Sequence, residues 1–207
     1  MMMYKDISGI ILSGGFSSRM GADKALLVIN GQTIIERISN LLSSLFENIL
    51  IITNSPDEYR FLNIPLYEDI YKHKGPLAGI HSGLFNSPNE TNFVVSCDTP
   101  LITKDMINYL ISYKSDKPVR YFRDAFYEHP LIGVYSKTVL PQIEKVFISI
   151  EDISAKKEKK YSIKNFLKNA EAEIIQVENL PFYSEKLFFN VNTPDDYLKL
   201  KEYFNID

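Results

Sequence analysis

The sequence predicts an α/β protein, a three-layer α/β/α sandwich whose central sheet is mostly parallel. Short apolar runs rich in β-branched residues alternate with segments of helical periodicity through the first half of the chain, as in strands joined by crossover helices. The 207 residues fit one domain, 45% of them are hydrophobic, and no linker-like segment divides them. We therefore expect a single α/β domain.

The first half shows the most regular alternation. An isoleucine-rich run at residues 7–12 ends at paired glycines, which is typical of a buried strand. After Thr33, apolar residues recur at helical spacing as far as Phe46 and predict a helix. The remaining elements of this half are a strand at residues 49–53, a short extended piece at 65–68, a helix at 77–85, a strand at 93–97, and a helix with Thr103 as its N-cap.

The second half is less regular. Strands are predicted at residues 118–122, 131–135, 174–177 and 188–192. Helices are predicted at residues 138–147, around 163–167, and from Pro194 onwards with Thr193 as N-cap. The charged run at residues 156–160 predicts a solvated loop.

Composition excludes several classes of protein. A net charge of −3 argues against a protein that coats nucleic acid or an anionic membrane surface. The sequence lacks a long apolar span and the features of a signal peptide, so we expect a soluble cytoplasmic protein. Cys97 is the only cysteine, which excludes an intramolecular disulfide and a multi-cysteine zinc site, and we interpret it as a packing residue.

The strongest functional signal lies at residues 12–24, LSGGFSSRMGADK. The paired glycines Gly14 and Gly15 follow a predicted strand and let the backbone approach a ligand closely. Arg19 and Lys24 add two cations, and cations combined with backbone N–H groups suit a triphosphate. The segment is not a P-loop, because no Gly-Lys-Ser/Thr closes it, and it does not follow the Gly-x-Gly-x-x-Gly pattern of dinucleotide-binding proteins. It therefore predicts a phosphate-binding site of another kind.

Polar residues follow the other predicted parallel strands. Asn54, Asp69 and Asp98 each come directly after one, and the carboxyl ends of such strands form the ligand-binding edge of open α/β sheets. Each residue alone is a common turn former. Near phosphates, however, Asp98 is a natural Mg²⁺ ligand. The segment GPLAG at residues 75–79, which ends at Gly79, opens a helix, and its backbone is expected to face a base or ribose.

The motif at residues 12–24 resembles the N-terminal signature of nucleotidyltransferases with the glycosyltransferase-A-like fold. Later segments narrow the resemblance: ED at 68–69, GPLAG at 75–79, CDTP at 97–100, His129-Pro130, and NVNTP at 190–194. In this order, over nearly the whole chain, they are similar to the molybdenum cofactor guanylyltransferase (MobA) family. Ser13 stands where alanine is usual, which adds a hydroxyl beside the nucleotide.

The resemblance implies a Rossmann-like sheet of the nucleotide-diphospho-sugar transferase type. It also implies the transfer of GMP from GTP to the terminal phosphate of Mo-bound molybdopterin, with release of pyrophosphate and with Mg²⁺ as cofactor. Residues 1–100 would bind GTP and residues 101–207 the acceptor. Transient contacts with molybdopterin-delivering proteins and molybdoenzyme chaperones are further expectations.

The site residues form three groups. The expected nucleotide-binding residues are Leu12, Ser13, Gly14, Gly15, Lys24, Asn54, Asp69, Gly79 and Asp98. Asn190 and Asn192 would lie toward the acceptor. Arg19, Lys24 and Asp98 are the expected catalytic residues, and Asp98 is also the expected metal ligand.

Two alternatives remain open. One is another nucleotidyltransferase of the same fold, either a cytidylyltransferase or an enzyme that acts on a sugar phosphate. The other is a non-catalytic nucleotide-binding protein. The set Arg19, Lys24 and Asp98 argues against the second alternative, because binding alone does not require a metal ligand.

Overall fold

The structure is a computed structural model that describes residues 3–14, 23–151 and 163–205. A seven-stranded sheet forms the centre of this described part. The strands are β1 (Tyr4–Leu12), β2 (Val28–Ile29), β3 (Gln32–Thr33), β4 (Phe46–Ile52), β5 (Leu66–Tyr67), β6 (Thr91–Ser96), β7 (Val119–Arg123), β8 (Glu128–Ser136) and β9 (Glu173–Gln176). The helices are α1 (Ile34–Ser43), α2 (Pro76–Asn86), α3 (Lys104–Ser112), α4 (Leu140–Glu151), α5 (Ile163–Leu167) and α6 (Pro194–Tyr203). Short 3₁₀ helices lie at Lys24–Leu26, Pro56–Leu62 and Lys137–Val139.

The strand order is β5-β4-β1-β6-β8-β7-β9. Neighbouring strands from β5 to β6 are parallel, and so are β7 and β9. In the described part of the chain, β8 alone runs against the rest of this sheet. The prediction of a mostly parallel sheet is therefore confirmed.

Helices cover both faces of the sheet and enclose two apolar cores. Alternate residues of a strand point to opposite faces, so Ile11 of β1 packs into one core while Ile10 packs into the other. The first core receives the apolar faces of α1, α3 and α6, and the second those of α2, α4 and α5. The three-layer sandwich is therefore confirmed.

The predicted N-caps are present. The Thr103 hydroxyl accepts a hydrogen bond from the backbone of Met106 at the start of α3. At the start of α6, Thr193 and Asp196 form a reciprocal capping box. These short-range signals locate the helix starts because each side chain satisfies a backbone N–H that the helix itself leaves unpaired.

Two predicted boundaries are wrong. The helix α1 ends at Ser43, and Phe46 begins β4 because it pairs with Tyr4 of β1. Residues 188–192 form turns and irregular backbone instead of a strand. Their apolar residues Phe188 and Val191 are buried, but this segment crosses the end of the sheet, where Val191 N donates to the carbonyl of Asp98 at 2.9 Å. The segment has the apolar residues of a buried strand because it is buried, but it does not pair with a strand of the described sheet.

The charged run at residues 156–160 lies outside the described residues. Within the described residues, no helix has the length and apolar character needed to cross a bilayer.

Candidate active site

Four of the predicted site residues lie in a row at one edge of the sheet. The register pairs Leu12 with Ile52 and with Ser96, and Ile52 with Tyr67. Two positions beyond these paired residues stand Gly14, Asn54, Asp69 and Asp98. Parallel pairing thus brings them to the edge at which β1, β4, β5 and β6 end, here called the carboxyl edge. The prediction that they share one edge is confirmed.

Asn54 and Asp69 are held together by hydrogen bonds. Asn54 Nδ2 donates to Asp69 Oδ2 at 2.8 Å, and the Asp69 backbone N–H donates to Asn54 Oδ1 at 3.3 Å. Lys72 Nζ also donates to Asn54 Oδ1, at 3.3 Å. Burial raises the pKa of the Asp69 carboxyl, although the Asn54 hydrogen bond and the Lys72 charge counteract part of that rise. These contacts fix both side chains at the rim of the carboxyl edge.

Gly79 brings α2 close to the end of β1. A Cβ atom at this position would stand 3.3 Å from Leu12 Cδ2 and 3.8 Å from Asp69 Oδ1. The helix α2 begins at Pro76, and Gly75, the residue before the helix, adopts a φ of +70°, which glycine does readily. Gly79 therefore lies between two other predicted nucleotide-binding residues, and close packing already favours glycine at this position.

Asp98 follows β6 and has an unusual carboxylate. Its Oδ1 atom is buried, and no hydrogen-bond partner is present for it in the described part of the chain. A buried polar atom without a partner is costly and is uncommon in folded proteins. A bound cation would satisfy this oxygen, so the residue fits a metal ligand.

In the described part of the chain, Asp98 does not belong to a larger group of metal-binding side chains. No cluster of three or more histidine, cysteine, aspartate or glutamate side chains able to hold a metal occurs among the described residues. Such a site suits Mg²⁺, which is often bound by one or two carboxylates together with substrate phosphates and water.

Lys24 reaches across to the C-terminal half of the chain. Its Nζ donates a hydrogen bond of 2.7 Å to Asn192 Oδ1. Since the neighbouring Val191 bonds to the Asp98 carbonyl, Lys24, Asn192 and Asp98 converge on one place. Asn190 instead donates to the carbonyl of Phe188 at 2.9 Å, within its own turn.

The hydroxyl of Ser13 faces the protein interior. Ser13 Oγ donates to the hydroxyl of Tyr59 at 2.9 Å, and that hydroxyl donates to Asp23 Oδ2. Burial, together with the negative charge of the neighbouring Asp98, raises the pKa of the Cys97 thiol to about 12, so Cys97 is not a nucleophile near neutral pH. Sequence reasoning missed Tyr59 and Asp23, because nothing in a lone tyrosine between charged residues signals this contact.

A histidine–aspartate pair lies at the same end of the sheet. His129, at the start of β8, contacts Asp124 Oδ2 through Nε2 at 2.8 Å and stacks on Phe188 with ring centroids 3.9 Å apart. Burial raises the pKa of the Asp124 carboxyl, but hydrogen bonds from His129 and from two backbone N–H groups outweigh it, so the net pKa is lowered. No motif in the sequence indicated a role for Asp124.

Two predicted site residues cannot be placed. Gly15 and Arg19 lie outside the described residues. Their assignment to the nucleotide phosphates stays a prediction.

Comparison with known proteins gives concordant matches. A family model described as "MobA-like NTP transferase domain" matches residues 9–167. A protein of Carboxydothermus hydrogenoformans named "Probable molybdenum cofactor guanylyltransferase" is 36% identical over 204 residues, covering 98% of both chains. One of the same name from Clostridium perfringens is 37% identical over 205 residues, covering 94% of this chain and 98% of its own.

A solved structure shares the fold. The crystal structure of molybdopterin-guanine dinucleotide biosynthesis protein A from Archaeoglobus fulgidus superposes with a TM-score of 0.79 at 21% identity. The match covers 96% of this chain and 98% of the other.

Proposed function

The chain belongs to the family of MobA-like NTP transferase domains, and we propose that it transfers GMP from GTP to the terminal phosphate of Mo-bound molybdopterin, releasing pyrophosphate. The named relatives support this substrate pair, since they match the chain over nearly its whole length. The observation that carries the proposal is the buried, unpartnered carboxylate oxygen of Asp98 at the carboxyl edge. The Lys24 ammonium is held in the same region, because its partner Asn192 follows Val191, which bonds to the Asp98 carbonyl.

The proposed GTP subsite occupies the half formed by residues 1–100. Leu12, Ser13, Gly14 and Gly15 would line it, with Asn54, Asp69 and Gly79 along its rim. Lys24 and Arg19 would contact the phosphates. Support comes from the row of residues at the carboxyl edge, which is where ligands bind in open α/β sheets.

Asp98 would hold a divalent metal ion, and we propose that this ion is Mg²⁺. Held by Asp98, such an ion would supply positive charge beside the triphosphate and the departing pyrophosphate. The buried, unpartnered Oδ1 atom of Asp98 supports the assignment.

The chemistry needs no strong general base. A phosphate monoester is largely a dianion at neutral pH, since its second pKa is about 6. An acceptor phosphate oxygen forms a bond to the α-phosphorus of GTP, and the bond from that phosphorus to the pyrophosphate oxygen breaks in line. Lys24 and Arg19 would stabilise the negative charge that develops on pyrophosphate.

The proposed acceptor subsite lies in the half formed by residues 101–207. Asn192 supports this division because it reaches Lys24 from the C-terminal side, and Asn190 is two residues away. Proteins that deliver molybdopterin, and the chaperones of molybdoenzymes, would approach from the same side.

Thermal unfolding with different nucleotides tests the proposal. Ligand at 100 times its Kd adds about 2.7 kcal/mol to the free energy of unfolding, which is readily measured. We expect GTP with Mg²⁺ to raise the melting temperature more than CTP, UTP or ATP, and molybdopterin to trigger pyrophosphate release. A larger shift with CTP would indicate a cytidylyltransferase. Binding without turnover would favour a non-catalytic protein.

A further inference from the structure

Tyr59 joins the end of β1 to Asp23 through its hydroxyl group. It accepts a hydrogen bond from Ser13 Oγ at 2.9 Å and donates one to Asp23 Oδ2. Ser13 is 4% exposed and Tyr59 is 1% exposed, so water has little access to the hydrogen bond between them. One side chain from the segment after β4 thus bridges two parts of the proposed GTP subsite.

Asp23 in turn sets the position of Lys24. Its Oδ1 atom accepts a hydrogen bond from the Ala25 backbone N–H at 2.9 Å and caps the 3₁₀ helix Lys24–Leu26. The ammonium of Lys24 then bonds to Asn192 at 2.7 Å. Tyr59 is therefore linked to the Lys24 backbone through one carboxylate.

The Tyr59 hydroxyl stays protonated and therefore remains a hydrogen-bond donor to Asp23. Burial raises the pKa of the Tyr59 hydroxyl far above its ordinary value, and the hydrogen bond to Asp23 raises it further. The hydroxyl therefore keeps its proton throughout the physiological pH range. Both carboxylate oxygens of Asp23 accept hydrogen bonds from the protein, whereas Asp98 Oδ1 accepts none within the described residues. Asp23 therefore serves the protein structure, whereas Asp98 keeps an oxygen with which it could bind a ligand.

We infer that Tyr59 is a positioning residue for nucleotidyl transfer, which holds Asp23 and thereby Lys24 in place against the triphosphate. The inference rests on the proposed function. Its physical basis is that a charge stabilises a transition state only when it is held in place, and a misplacement of about 1 Å can cost about 10²-fold in rate.

Replacing the hydroxyl alone tests the inference. Tyr59→Phe keeps the ring but removes the hydrogen bond to Asp23. Tyr4→Phe is the matched control, since the Tyr4 hydroxyl also donates to a side-chain oxygen, Asn108 Oδ1 at 3.1 Å, but at the opposite end of β1. Pyrophosphate release is measured against GTP concentration, at a temperature where thermal unfolding shows every variant to be folded.

We expect kcat/KM for GTP to fall about 10- to 100-fold in Tyr59→Phe and to stay within about twofold in Tyr4→Phe. A folded Tyr59→Phe variant with wild-type kcat/KM would overturn the inference. Equal losses in both variants would also overturn it, because they would indicate a general effect of lost stability.

Variants of Asp23 separate positioning from direct charge stabilisation. In Asp23→Asn the phenol can accept from the amide and donate to Ser13, so the hydrogen-bonded chain can re-form, whereas Asp23→Ala cannot restore it. We expect Asp23→Asn to retain most activity, and Asp23→Ala to lose about as much as Tyr59→Phe. The double variant Tyr59→Phe/Asp23→Ala should lose little more than either single variant, because the two residues act as a unit. An Asp23→Asn variant as slow as Asp23→Ala would contradict positioning.

Assays of the wild-type protein distinguish a failure of the proposed function from a failure of the inference about Tyr59. Turnover with CTP in place of GTP overturns the proposed nucleotide, whereas the Tyr59 comparison, repeated with CTP, still decides this inference. If the wild-type protein uses no nucleotide, both proposals fail.

Discussion

At the residue scale, Asp98 combines a cost for folding with suitability for binding. Its buried oxygen lacks a donor among the described residues, which disfavours the ligand-free fold. The same arrangement favours a cation, because a cation would pair with an oxygen that receives no hydrogen bond from the described residues. Such trade-offs between stability and binding are common at functional sites.

Replacing Asp98 should separate activity from stability. We expect Asp98→Ala to abolish turnover and to leave the melting temperature without metal unchanged or higher, because an unsatisfied buried atom is removed. Activity assays and thermal unfolding, each with Mg²⁺ and with a chelator, check this. Normal metal-dependent turnover in the variant would exclude Asp98 as the metal ligand.

Lys24 should contribute mainly to the rate of transfer. We expect Lys24→Ala to lower kcat/KM by at least ~10²-fold, which is the range seen when one preorganised charge contact at a transition state is lost. Lys117→Ala is a control, since Lys117 forms an ion pair with Glu171 on the surface. A loss of tenfold or less at Lys24, measured by pyrophosphate release, would count against its role.

At the scale of single elements, local sequence signals locate the helices and longer-range pairing determines where they end. Thr33 and Glu36 form a reciprocal capping box at the start of α1. The helical spacing of apolar residues continues as far as Phe46, although α1 ends at Ser43. Phe46 instead begins β4, because it pairs with Tyr4 of β1. Tertiary pairing thus overrides the helical pattern there.

The capping box predicts a pH dependence of stability. Hydrogen bonds from Thr33 lower the pKa of Glu36 below its ordinary value of 4.5. The stabilisation is therefore fully present above that value and is lost as the pH falls through the lowered pKa. Melting temperatures of wild type and Glu36→Ala should differ most at neutral pH and converge in acid.

Glu36→Gln is the control for that experiment. Glutamine keeps a hydrogen-bond acceptor at the third helical position but does not titrate. The difference between Glu36→Gln and Glu36→Ala should therefore change little with pH. If wild type and Glu36→Ala differ equally at neutral and acid pH, the ionised capping box is not what stabilises α1.

At the scale of the whole molecule, contacts between distant segments assemble the site. Lys24 bonds to Asn192, and Asp98 to Val191, so the chain after α5 closes over residues that belong to the first half. These bonds connect the proposed GTP and acceptor subsites. Substrates bound on the two sides would therefore meet beside Asp98.

That connection predicts different effects for the two asparagines. Asn192→Ala removes the partner of Lys24, so we expect higher KM values for both GTP and molybdopterin. Asn190→Ala should leave the KM for GTP near the wild-type value, because the Asn190 side chain donates to Phe188 within its own turn. Steady-state kinetics with each substrate varied in turn checks this. Equal effects of both variants on GTP would contradict the link through Lys24.

The sequence by itself determined the α/β class, most strands and helices, and the row formed by Gly14, Asn54, Asp69 and Asp98 after β1, β4, β5 and β6. These features depend on local periodicity, capping and turn residues, which are readable from neighbouring positions. Tertiary structure alone decided that residues 188–192 are not a strand, that Ser13 faces Tyr59, and that Asp98 Oδ1 is buried without a donor among the described residues. The physical reason is that hydrogen bonds between segments far apart in sequence depend on how the layers pack, and no local pattern encodes them.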